Sequence, residues 1–88
     1  MNNKDEHMID RHIVKALVEV ALFLEMSDEK AIDPDCAVAA MEQMAANLQA
    51  LDAESKRSLA LGMQSLASEY SLHEQFVHDL PEALGIAE

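Results

Sequence analysis

The sequence predicts an all-α fold, a compact bundle of three to four helices, and three observations lead there. Apolar side chains recur at helical spacing over long stretches, as on an amphipathic helix. The apolar palette is Ala, Leu, Met and Val with two Phe, one Tyr and no Trp, which suits helices better than the β-branched and aromatic side chains of strands. Only two Gly and two Pro occur in 88 residues, too little turn chemistry for many short strands. This length is one domain, spanning 1–88.

The first helix is expected over about 5–26, with Ile9, Ile13, Ala16, Leu17, Val20 and Leu24 on its main apolar face. Val14, Val18 and Leu22 form a second apolar stripe at i, i+4, i+8, more than about 90° around the same helix. A helix apolar on two sides is either wrapped by its neighbours or buried against another molecule. The second stripe therefore belongs to a central first helix, or to a partner interface, most simply a twofold dimer.

Ser27 to Asp33 is a polar connection. The second helix is expected over 34–51: Asp33 is a natural N-cap, Pro34 fits the first helical position, and Asp35 favours the positive end of the helix dipole. Its inner stripe is Ala37, Val38, Met41, Met44, Ala45, Leu48 and Leu51. Met41 and Met44 read as core filler or as part of a flexible groove for a partner helix.

Asp52 caps a third helix over 53–70, with Leu59, Met63, Leu66, Ala67 and Tyr70 inward. Gly62 inside it is expected to admit a close helix neighbour, since otherwise it costs about 1 kcal/mol relative to Ala. Ser71-Leu72-His73-Glu74 has a capping-box pattern. It predicts a fourth helix over 72–80 using Leu72, Phe76, Val77 and Leu80, interrupted at Pro81 by a short turn over 81–84 and ended by Gly85.

Seventeen acidic residues against six Lys plus Arg give a formal charge of −11. Neutralising phosphates needs clustered basic side chains, so nucleic acid is excluded as a partner, and an anionic membrane surface with it. The charge either keeps a small protein soluble or steers a basic protein partner. Val14 to Leu24, the most apolar stretch, is broken by Lys15 and Glu19 and is too short to span a bilayer. The first residues lack the basic start of a signal peptide. With Cys36 as a lone cysteine, the expected location is the cytoplasm.

Reactive constellations are sparse. His7 and His12, and His73 and His78, are five apart, about 140° around a helix, so neither pair shares the face a metal needs. Asp33 and Asp35 flank Cys36 and oppose its ionisation, so an inert thiol is expected. Asp28-Glu29 and Asp33-Pro34-Asp35 resemble pieces of a calcium loop without its central Gly and final Glu. No phosphate loop or nucleophile elbow is present. The chain reads as a non-enzyme with no catalytic residues, no metal and no cofactor.

The stretch Ile32-Asp33-Pro34-Asp35 through Ala37-Val38, Met41-Glu42 and Leu48-Gln49, then Leu59 to Tyr70, resembles the small acidic all-helical immunity proteins of bacterial toxin–immunity pairs. The likeness covers about half of the chain and rests on pattern, acidity and size. It implies a cytoplasmic protein that binds a cognate toxin domain and occupies its basic cleft. The acidic candidates for that contact are Asp28, Glu29, Asp33 and Asp35 around the first connection, and Glu69, Glu74, Asp79 and Glu82 around the last helix. Each also reads as a cap or an ordinary solvated charge. The alternative function is a homodimeric structural or regulatory adaptor, or a secretion chaperone, joined through Val14, Val18 and Leu22.

Overall fold

A computed structural model describes residues 9–87, all of them in helices, turns or connections, with no strand among the described residues. Four helices follow one another: α1 (Arg11–Met26), α2 (Pro34–Gln49), α3 (Ala53–Leu66) and α4 (Glu74–Ala83). Two single turns of 3-10 helix, Ala67–Glu69 and Ser71–His73, join α3 to α4. The all-α bundle is as expected. The helix expected over about 5–26 is helical from Arg11, with Ile9 and the cap Asp10 outside it; residues 5–8 lie outside the described residues. No helix among the described residues is long and apolar enough to cross a membrane.

Three helices begin on the side chain of an aspartate. Asp10 accepts from the His12 N–H at 2.8 Å, Asp33 from Cys36 at 3.1 Å, and Asp52 from Ser55 at 2.7 Å. Each satisfies a backbone donor that the first turn leaves open. Pro34 takes the first position of α2, where its missing N–H is harmless. Helix α4 has no such cap. The Ser71–Glu74 capping box does not form, because Ser71–His73 already winds as a 3-10 turn, with the His73 N–H bonded to the Tyr70 carbonyl at 2.7 Å. A capping Ser needs extended backbone, and this one has none to offer. Leu72, expected inward, is 92% exposed on that turn.

Helix α4 also runs straight through Pro81 to Ala83, where an interruption was expected. The proline ring is buried, and its carbonyl accepts from Ile86 at 2.9 Å and Ala87 at 3.2 Å. With Gly85 N–H on Glu82 O at 3.1 Å and Gly85 at φ 75°, this is a Schellman closure. It folds the tail back and buries Ile86. The bonds gathered at the C-terminus offset the one that Pro81 cannot donate.

The core is formed mainly by α3 and α4, through Leu59, Met63, Leu66, Val77, Leu80, Leu84 and Ile86. Helix α1 lies on α3 and inserts Val14, Val18 and Ala21. This corrects the reading of α1. The stripe considered as a dimer or partner contact is interior: Val14 and Val18 are 2% and 0% exposed, with Leu22 half-buried beside them. The face read as the main apolar one is split: Ile9, Leu17 and Leu24 are half-buried, while Ala16 is exposed, as are Ile13 at 56% and Val20 at 47%. The backbone at Gly62 explains the choice. A Cβ there would stand 3.2 Å from Val14 Cγ2, so α3 offers a notch that a narrow, β-branched side chain fills and a bulky one overfills.

That contact yields a prediction. Gly62→Ala should recover about 1 kcal/mol of helix propensity, but Val14 is buried and stiff at χ1 and cannot readily withdraw. In the Val14→Ala background the full gain should appear; in the native background it should shrink by at least about 0.5 kcal/mol or reverse. Denaturant melts of the four proteins measure the coupling, and additive effects would remove the notch from the argument.

Helix α2 lies outermost and contains no fully buried residue. Met41, Met44, Ala45, Leu48 and the following Leu51 are half-buried against the rest, whereas Val38, expected inside, is 57% exposed. The far end of α2 is tied down by Gln49, whose Nε2 donates to the Leu84 carbonyl at 2.9 Å.

Candidate functional site

The connection between α1 and α2 is built by its own aspartates. Helix α1 ends where the Ser27 hydroxyl and N–H both donate to the Phe23 carbonyl, at 2.6 and 3.1 Å. The Asp28 carboxylate then accepts from the N–H groups of Lys30 and Ala31, at 3.1 and 3.0 Å. The Asp28 carbonyl takes Ala31 and Ile32 at 3.0 and 3.1 Å. One compact turn results. It leaves Ile32 half-buried and places Asp33 to cap α2.

Between the end of α1 and the first turns of α2 lies an open groove of about 360 Å³. Its apolar lining comes from Leu24, Ile32, Pro34, Ala37, Val38 and Met41, and its charged lining from Glu25, Glu29 and Glu42. No basic side chain is among the lining residues. The sequence around it is equally one-sided: residues 16–55 hold nine carboxylates and one cation, Lys30. Apolar walls beside carboxylates of one sign concentrate a negative potential.

Of the eight acidic candidates, the structure places Asp28, Glu29, Asp33 and Asp35 together at this end of the molecule. Asp28 and Asp33 are also engaged with backbone, as just described, while Glu29 lines the groove. The other four lie elsewhere. Glu69 sits against the start of α1, ion-paired with Arg11 and, at 3.8 Å, with Lys15. Asp79 accepts from Gln75 Nε2 at 3.0 Å and faces His78 Nδ1 at 3.3 Å. Those two neighbours, Gln75 foremost, hold its carboxyl below the usual carboxylate range. Glu74, Gln75 and His78 line a second shallow depression of about 370 Å³ on α4, and Glu82 is exposed on the same helix.

Reading the sequence missed Glu25 and Glu42 as groove residues. For Glu42 a signal was available, the absence of any Lys, Arg or His from residue 31 to 55; for Glu25 there was none. It also placed Val38 in the core. Met41 is half-buried against the core and also lines the groove.

Tyr70 is tied to the middle of α1. Its hydroxyl donates to Glu19 Oε2 at 3.1 Å. Burial raises its pKa above 10.0, with further upward contributions from the bond to Glu19 and from the charges of Glu19 and Glu69, opposed by Arg11. A raised folded-state pKa adds stability that is complete below the unfolded value and is lost as pH rises through the folded one. Tyr70→Phe should therefore flatten the alkaline limb. Above pH 10.0 the native protein should lose melting temperature more steeply than the variant; parallel melting curves against pH would contradict it.

Among the described residues no three His, Cys, Asp or Glu side chains stand close enough together to hold a metal ion. His12 and His78 are exposed and His73 is half-buried; His7 lies outside the described residues. Cys36 is an exposed thiol in the first turn of α2. Comparison with protein-family models, curated proteins and solved structures finds no match.

Proposed function

We propose that this chain is a non-enzymatic protein-binding module whose partner is a basic protein domain, and that it acts as an immunity protein, neutralising a bacterial toxin domain by covering its basic cleft. The observation that carries this reading is the concentration of Asp28, Glu29, Asp33 and Asp35 beside an apolar, cation-free groove. Long-range attraction to such an end raises the association rate, and apolar contact then slows release. A toxin that acts on nucleic acid or nucleotides must present cations to phosphates, and an acidic protein can occupy that cleft in the substrate's place.

The test is kinetic. Asp28→Asn, Glu29→Gln, Asp33→Asn and Asp35→Asn together keep a capping side chain at position 33 and remove four charges. Association with a basic toxin domain encoded beside this chain should slow about tenfold or more at low salt, with a flatter salt dependence. Unchanged association kinetics would refute charge steering. Failure of the chain to protect cells expressing that domain would refute immunity.

The second reading, a homodimeric adaptor or secretion chaperone, is favoured by the outward face of α1, where Ile13, Val20, Phe23 and Met26 are each 47–59% exposed. Its interface would be this face and not Val14 and Val18. Sedimentation at micromolar concentration separates the two: a stable dimer supports the adaptor, a monomer the immunity module.

A further inference from the structure

We infer that the groove between α1 and α2 is the seat of one amphipathic helix from the partner, apolar along the face it inserts and carrying Lys or Arg on both flanks. This rests on the reading of the chain as a protein-binding module and adds the place and the chemistry of the contact.

The shape argues for a helix. Most of the lining comes from two helices, the end of α1 and the first turns of α2, with Ser27, Glu29 and Ile32 added by the connection, and the volume of about 360 Å³ is open to solvent. Helices pack by setting the side-chain ridge of one into the groove of another. Here Val38 and Met41, one turn apart on α2, line the same open volume as Leu24 of α1. An added helix would cover Val38, which stands 57% exposed, and would bury the outer side of α2, which has no fully buried residue of its own. This is the helix-in-groove mode of recognition.

Charge fixes the occupant. Glu25 comes from α1, Glu29 from the connection and Glu42 from α2, so a helix lying in the groove meets carboxylates from all three segments that line it. An acidic helix is repelled. A second copy of this chain seated here is disfavoured on the same ground where its approaching face is the acidic one, since it would bring its own Glu25, Glu29 and Glu42 toward these three. The cations of α1 are also committed: Arg11 and Lys15 are held by Glu69. A basic, amphipathic segment of a different protein satisfies both the apolar lining and the charged rim.

The test uses a designed 18-residue helical peptide with Leu at i, i+3, i+4 and i+7 and Lys on both flanks, of the length that lets about five turns form. A companion peptide carries Glu at every Lys position. The full chain should bind the Lys peptide saturably, one to one, and should not bind the Glu peptide. Val38→Asp is the decisive variant. It makes the chain more negative, so attraction by charge alone predicts equal or tighter binding; the seated helix predicts binding weakened about tenfold or more, because an anchor is lost. Residue 38 lies near the N-terminus of α2, where Asp is tolerated; Val38→Ser serves if Val38→Asp fails to keep its helical circular dichroism. Glu25→Gln, Glu29→Gln and Glu42→Gln together should also weaken binding and flatten its salt dependence.

Equal binding by Val38→Asp, equal binding of the two peptides, or absence of saturable binding would each overturn the inference. Self-association of the chain that Val38→Asp abolishes would assign the groove to a second copy instead. If Val38→Asp leaves association with the toxin domain intact while the four substitutions at 28–35 slow it, the seat is wrong and the binding module stands. If neither set of changes affects that association, the broader reading falls with it.

Discussion

Val18→Asp should abolish cooperative folding, while Val20→Asp, two residues along the same helix, should leave the protein folded with helical content unchanged. Val18 is 0% exposed in the main core cluster. Replacing it forfeits about 1.5–3 kcal/mol of apolar burial and forces an unpaired carboxylate into the interior at several kcal/mol more. A chain of this size has only about 4–13 kcal/mol to lose. Val20 is 47% exposed, and Asp there costs a few tenths of a kcal/mol in helix propensity. Circular dichroism melts decide between them. If Val20→Asp unfolds the chain and Val18→Asp does not, α1 is rotated about its axis relative to the arrangement described here. Val20→Asp also serves the functional question, because it should dissociate any dimer formed through the outward face of α1.

Leu66→Ala should lower stability by about 3–4 kcal/mol, whereas Leu48→Ala should cost roughly 1 kcal/mol. Leu66 is fully enclosed at the end of α3, where closely packed neighbours cannot collapse into the space left. Leu48 is half-buried on α2, where water reaches part of the site already. For a domain of this size the first change lowers the melting temperature by about 12–32 °C and the second by about 4–8 °C. The same contrast predicts local dynamics. Amides of α2 should exchange with solvent through openings that leave α3 and α4 closed, because few buried contacts hold α2 to the rest. Equal exchange protection in all four helices, with equal losses for the two substitutions, would contradict a peripheral α2. A helix held this lightly is also suited to gaining contacts from outside, which is where the groove lies.

The parts of this protein that local chemistry governs were legible in one dimension. Asp33-Pro34-Asp35 marks the start of α2 because a carboxylate, a missing N–H and a dipole all favour that position together. Asp52 marks the start of α3 for the first of those reasons. Gly85 ends α4 because the backbone there is left-handed. The inner face of α3, Leu59, Met63, Leu66 and Ala67, was legible because apart from the exposed Leu61 the outer positions are mostly polar or small. So was a negative charge too large for any nucleic-acid binder.

Local chemistry misled where two arrangements were both available. The Ser71–Glu74 pattern permits a capping box, but the tight junction after Leu66 winds Ser71 into a turn first. Pro81 ends most helices, yet a buried ring and a Schellman closure carry α4 past it. The candidate site was only half legible. Four acidic residues of the first connection were named from the sequence, but a groove exists only between two helices, so Glu25, Glu42 and Val38 became its lining only once α1 and α2 were set side by side.

The sequence by itself determined that the chain is helical, where three of its four helices begin or end, and that its exterior is acidic, because propensity, capping and net charge depend on neighbours along the chain. Only the tertiary structure decided which side of α1 is inside. Apolar side chains cover most of that helix, with Arg11, Lys15, Glu19 and Glu25 along one side, so the apolar sector is wider than its contact with the core; the notch at Gly62, 48 residues beyond Val14 in the chain, receives the Val14 side, and Ile13, Val20 and Phe23 are left at the surface.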